Sequence, residues 1–131
     1  MLLRHLLAFL ASLCLPVDSA GYADRLTAEE TKALLFEGPW QIEVGVSVNY
    51  FVWDANGTLC VKLFDPQADT CDDTGSWFIN ETIVCYWLQW WGKTENQRGG
   101  CFQVLKTDPG LYEALDAGGL PGLRFTVVQT I

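Results

Sequence analysis

The sequence predicts a mainly β fold: an antiparallel meander or partial barrel of six to seven strands, with one short N-terminal helix. Three observations predict it. From Trp40 onward apolar residues recur at every second position, the period of a strand with one buried face. Four cysteines follow a short apolar leader, the pattern of an exported disulfide-bonded domain. Residues 75–102 hold four of the six tryptophans and two of the five cysteines. They read as a hairpin plus the start of a third strand, clipped by a disulfide.

Residues 1–20 read as a secretory signal peptide. Arg4 and His5 give a positive start, and Leu6 to Leu15 is an apolar run too short to span a bilayer. Cleavage after Ser19, Ala20 or Ala23 fits the small residues there. Cys14 follows Leu13, not the small residue of a lipoprotein signal, and is expected to leave with the leader. Residues 21–131 are then a single disulfide-bonded β domain. A domain of this size buries roughly two-thirds of its unfolded surface and needs no metal to hold a core. The leader removes one base and one acid, Arg4 and Asp18, so the net charge stays at −8. That acidity argues against nucleic acid or an anionic membrane as a partner. No second apolar run approaches membrane length, so the mature chain is expected to have no membrane span.

Along the chain, Thr27-Ala-Glu-Glu30 is a capping box that opens a helix running to about Phe36, and Gly38-Pro39 stops it. Trp40, Ile42, Val44, Val46 and Val48 then alternate with Gln41, Glu43, Ser47 and Asn49, with Gly45 a possible break. Tyr50 to Trp53 continues extended. Asp54-Ala-Asn-Gly57 fits a type I turn with a left-handed Gly57 and a bulge. Thr58 to Phe64 returns, with Leu59, Val61 and Leu63 on one face. Residues 65–74 form a loop. Gly75 to Ile79, Thr82 to Trp91 and Cys101 to Lys106 are strands; 107–122 is irregular, with one helical turn near Leu111–Leu115. Leu123 to Ile131 closes the domain, with Leu123, Phe125 and Val127 inward and Arg124, Thr126 and Thr130 outward.

Three pairings of Cys60, Cys71, Cys85 and Cys101 are possible. Cys60–Cys71 and Cys85–Cys101 are expected, because each closes a short loop between neighbouring strands. Such loops contribute about 2–4 kcal/mol each. The cysteines fall on the more polar strand faces, which leaves the aliphatic faces to make one core.

Leu26-Thr-Ala-Glu-Glu30, Tyr50-Phe-x-Trp-Asp-x-Asn-Gly-Thr58, Gly75-Ser-Trp77, Val84-Cys-Tyr-Trp87 and Gly100-Cys-Phe-x-Val104 come in that order. The pattern resembles small exported bacterial proteins of uncharacterised function with a lipocalin-like β domain. The resemblance covers most of the mature chain. It implies an antiparallel sheet or small barrel and a periplasmic or secreted location, and it carries over no catalytic residue. The chain departs from the pattern in its Cys60–Cys71 loop and in Trp90-Trp91.

The chemistry open to the mature chain is narrow. The only histidine is His5, in the leader. Ser-His-Asp and Cys-His catalysis and histidine-ligated metals are therefore excluded, and no cofactor is expected. Disulfide-bonded cysteines offer no nucleophile. Asp65, Asp69, Asp72 and Asp73 crowd one loop without EF-hand spacing and read as a solvated acidic loop. Trp90 and Trp91 are adjacent, so in a strand they cannot both enter one core. The expected function is a non-enzymatic exported binding or interaction module using an exposed aromatic sheet face. Trp87, Trp91, Tyr86 and Trp90 are its candidate contacts, and the partner is a protein, a glycan or an apolar small molecule. The first alternative is a lipocalin-like carrier, which requires an internal cavity of about a few hundred Å3. The second is a carboxylate-based hydrolase.

Overall fold

A computed structural model describes residues 25–116, 118 and 121–129. The expected signal peptide and Thr130 lie outside the described residues. The described residues form one helix and eight strands: α1 (Ala28–Glu37), β1 (Trp40–Val44), β2 (Ser47–Trp53), β3 (Thr58–Lys62), β4 (Asp73–Asn80), β5 (Ile83–Leu88), β6 (Gly99–Asp108), β7 (Leu111–Asp116) and β8 (Pro121–Val127). The strands pair antiparallel in sequence order, and β1 pairs β8, so the sheet closes on itself. Closure leaves no unpaired edge strand.

The expected six to seven strands and partial barrel are thus corrected to a closed barrel of eight. Two places account for the difference. At Gly45 the chain turns back completely: Val44 pairs with Ser47 across a two-residue turn. Gly45 has φ 61°, and Val46 does not share a positive φ, the signature of a type II′ turn. The reversal resets the side-chain alternation. Asn49, Phe51 and Trp53 face inward, while Val46 is fully exposed at the turn. The second place is β7, which occupies residues expected to be irregular or helical. Its alternation is blurred by a register shift between Glu113 and Leu115, so both Ala114 and Leu115 are buried.

The other local signals hold. In the capping box the Glu30 amide donates to the Thr27 hydroxyl, and the Thr27 amide donates to the Glu30 carboxylate. Those bonds hold the Glu30 carboxyl below its usual range. The Gly57 amide donates to the Asp54 carbonyl, and Gly57 has φ 91°, as the bulged type I turn requires. Both disulfides form as expected, Cys60–Cys71 and Cys85–Cys101. Cys85 sits directly opposite Cys101 across β5 and β6, on the outer face. Two disulfides fit a non-cytoplasmic protein. No described helix is long and apolar enough to cross a membrane.

The helix packs on the barrel end where β1 begins and β8 finishes. Thr31, Leu34 and Leu35 are its buried side chains. Trp40 fastens it: its indole N–H donates to the Leu34 carbonyl (3.0 Å), and its ring stacks on Phe125 of β8 at 3.9 Å between centroids. Residues 25–26 pair beside Leu105 and Val104, where β6 runs on past its pairing with β5. In the barrel Trp40, Phe51, Trp53, Leu59, Val61, Val84, Phe102, Val104 and Phe125 form one buried cluster.

Trp40→Phe keeps an aromatic ring but leaves the Leu34 carbonyl without its donor. The expected cost is about 1–3 kcal/mol in denaturant unfolding. Amide exchange should accelerate in Ala28–Glu37 before it does in the strands. Uniform acceleration throughout the barrel would show that Trp40 does not specifically fasten the helix.

Candidate ligand-binding cavity

Eight strands leave an interior just wide enough for side chains or for one small ligand. Here the filling is uneven. On the β3–β5 side Leu59, Val61, Val84 and Leu88 occupy the inward positions and are fully buried. On the β6–β8 side, away from the helix, the corresponding positions include Gly100 and Ala114, with Gly122 nearby. A hollow of about 520 Å3 results. Trp40, Ile42, Phe51, Trp53, Phe102 and Phe125 line its inner part. Glu95, Asn96, Asp116 and Gly118 line it too and are exposed, so it opens to solvent at the end opposite the helix. A Cβ built on Gly100 would meet nothing within 4 Å.

The connection between β5 and β6 supplies one lip of that mouth. Two consecutive turns fold it: the Lys93 amide donates to the Trp90 carbonyl, and the Asn96 amide to the Lys93 carbonyl. Asn96 adopts a left-handed φ of 59°. The Gln97 amide donates to the Gly92 carbonyl. The Tyr86 hydroxyl donates to the Gln97 carbonyl at 2.6 Å, which ties this lip to the wall.

The four candidate contact residues do not form one face. Tyr86 points inward and lines the cavity. Trp91 is 3% exposed and lies beside the cavity, not in its wall. It plugs the neighbouring part of the open end: its indole N–H donates to the Asn49 amide oxygen, and its ring meets Phe51 edge-on at 4.8 Å. Trp87 is 55% exposed on the outer surface, with the Arg98 guanidinium 4.3 Å from its ring centroid. A second hollow, of about 160 Å3, lies among Trp87, Lys93, Asn96, Arg98 and Gly99. Trp90 is 48% exposed. Trp90 and Trp91 do part company, as adjacency requires, but not through strand alternation. The strand expected to reach Trp91 ends at Leu88, and the Asp73 carboxylate takes both tryptophan amides.

Asp73 is itself buried, and its other carboxylate oxygen accepts the Thr74 amide. Asp72 accepts the Leu63 amide and Asp65 the Gln67 amide. The expected solvated loop is thus corrected at its end: Asp65, Asp69 and Asp72 are exposed, but Asp73 is buried, and Asp72 and Asp73 hold backbone amides outside the loop, at Leu63, Trp90 and Trp91. Among the described residues no three acidic, cysteine or histidine side chains converge as a metal site.

Sequence reasoning missed most of the cavity wall: Trp40, Phe51, Trp53, Phe102 and Phe125. Alternation marked Trp40 and Phe125 as core positions, but it could not distinguish a filled barrel from a hollow one. The one usable signal was the small residues Gly100 and Ala114, at positions where inward-facing bulk was due. No protein-family model, no curated protein and no solved structure matches this chain. What the fold and the hollow define is a class by shape: a helix-capped, eight-stranded meander barrel with one open, aromatic-lined interior.

Two predictions concern this site. Burial pushes the Tyr86 phenol up from its usual value near 10 to about 12. Between those values the unfolded chain has lost the proton and the folded chain keeps it. Stability should therefore fall as pH rises from 10 to 12, at about 1.4 kcal/mol per unit. Tyr112 is raised too, by burial and then by Glu37, so Tyr86→Phe should flatten this slope without abolishing it. Urea unfolding from pH 9 to 11.5 measures the slope; an unchanged slope in the variant would refute the assignment. Separately, Asp73→Ala strands three backbone amides. It should cost about 3 kcal/mol and shift Trp91 fluorescence to the red; a blue-shifted or unchanged spectrum would contradict the anchoring role.

Proposed function

We propose that this protein is a non-enzymatic, exported carrier that binds a small apolar molecule inside its barrel. The single observation that carries this reading is the hollow of about 520 Å3, walled by aromatic rings and open at one end. That size falls within the usual range for ligand pockets of roughly 300–1,000 Å3. The resemblance to lipocalin-like exported proteins points the same way, and the two disulfides support an extracytoplasmic location. Carboxylates Glu95 and Asp116 at the mouth, with no Lys or Arg among the described lining residues, favour a ligand that is not an anion.

A second reading keeps the outer aromatic face as an interaction surface for a protein or glycan. It rests on Trp87, half exposed beside Arg98, and on Phe78, exposed on the same side of β4 and β5. The two readings separate cleanly. Binding of N-phenyl-1-naphthylamine, an uncharged apolar probe, can be followed by energy transfer from the tryptophans. Gly100→Phe projects a ring into the hollow and should weaken the probe at least about tenfold. Trp87→Ala should leave probe binding within about twofold. Loss in Trp87→Ala with none in Gly100→Phe would overturn the internal site in favour of the outer face.

A further inference from the structure

An antiparallel meander sends its links alternately to the two ends of the barrel. Those after β1, β3 and β5 lie at the mouth, and those after β2, β4 and β6 lie at the helix end. The two ends differ in what they show to water. Each of the three mouth-end links carries one large exposed apolar side chain: Val46 fully, Phe64 at 87% and Trp90 at 48%. The links at the helix end, residues 54–57, 81–82 and 109–110, carry none. Val46 stands at the tip of an open turn, where a Cβ on Gly45 would meet nothing within 4 Å. The Trp90 backbone is pinned, its amide donating to Asp73 and its carbonyl accepting from Lys93, yet its ring stays half exposed.

Neighbouring strands lie about 4.8 Å apart, so links two strands apart stand roughly 10 Å from each other around the rim. Apolar tips spaced in that way do not make one patch for a shaped partner. They suit a surface that deforms around each tip, and an indole is at home at the boundary between lipid headgroups and water. The charge around the tips selects the surface. Asp65, Asp69, Asp72, Glu95 and Asp116 are exposed at the same end, where the described links carry one exposed lysine, Lys93. An anionic bilayer repels that rim. A zwitterionic layer, whose outermost groups are ammoniums, complements it.

We infer that the mouth end docks on a zwitterionic lipid surface through Val46, Phe64 and Trp90, so that the apolar ligand passes between bilayer and barrel through the mouth. The docking stands on the rim alone; the passage of ligand rests on the carrier reading.

The test mixes the mature chain with vesicles of dioleoylphosphatidylcholine and sediments them. The wild type should pellet with the vesicles, and replacing a third of the lipid by phosphatidylglycerol should weaken partitioning about twofold or more. Val46→Ser, Phe64→Ser and Trp90→Ser combined should weaken it at least about tenfold, the worth of burying one such side chain. Phe78→Ser, which removes an exposed ring from the barrel wall, should leave it within about twofold. Lipid brominated on its acyl chains should quench the wild type more than Trp90→Phe, which keeps apolar bulk. No pelleting, a triple variant that pellets like the wild type, equal loss in Phe78→Ser, equal quenching, or tighter binding to the phosphatidylglycerol vesicles would overturn the docking. A dimer in solution that the triple variant abolishes would assign the rim to a second copy and overturn it as well. Binding of N-phenyl-1-naphthylamine without vesicle binding sinks the docking and spares the carrier. Vesicle binding without probe binding sinks the carrier reading and the passage of ligand, and leaves the docking.

Discussion

The closure between β1 and β8 is the constraint on which the rest depends, and Trp40 sits at its centre. Trp40, Gln41 and Ile42 pair with Val127, Thr126 and Phe125. The Trp40 ring stacks on Phe125, with the planes 7° apart, and Tyr112 continues the column behind Phe125. Its indole N–H reaches up to the helix. One side chain therefore joins the first strand to the last, fixes the cap and forms part of the cavity floor. An open sheet of these strands would have two exposed edges and no enclosed interior.

The uneven interior follows from which strands carry bulk. Leu59, Val61, Val84 and Leu88 fill the β3–β5 side and are fully buried. The β6–β8 side carries glycine and alanine where it nears the mouth. A void in a well-packed core is normally expensive. This one opens to solvent between the Tyr86-anchored loop and the end of β7, so it is a hydrated concavity instead of a sealed defect. Trp91 limits its width. It is held beside the hollow by Asn49 and Asp73.

Buried polar side chains among the described residues are few, and most are matched. Thr31 donates to the Thr27 carbonyl, and Asn49 serves both Leu63 and Trp91. Against that background the Trp53 indole N–H stands apart: it is buried and has no acceptor among the described residues. The chain is acidic overall, at −8, and Glu95 and Asp116 place carboxylates at the mouth of the hollow.

Local chemistry was legible in the sequence wherever neighbours in the chain decide the outcome. Thr27 and Glu30 cap a helix because their atoms lie within one turn of each other. Asp54 to Gly57 turn because glycine tolerates the left-handed conformation, and Cys85 meets Cys101 because their strands are adjacent. The strand count failed at Gly45 because Val44, Val46 and Val48 keep the every-second-residue pattern of one continuous strand, whereas the reversal turns Asn49, Phe51 and Trp53 inward, which only the pairing reveals. At β7 a register shift erased the alternation altogether. The site was least legible. That Tyr86 faces a hollow, that Trp91 is a plug while Trp87 lies outside, and that Trp53 lacks an acceptor all depend on residues distant in sequence. A strand's own residues fix which side chains share a face. Only closure of the barrel decides whether the space that face encloses is filled.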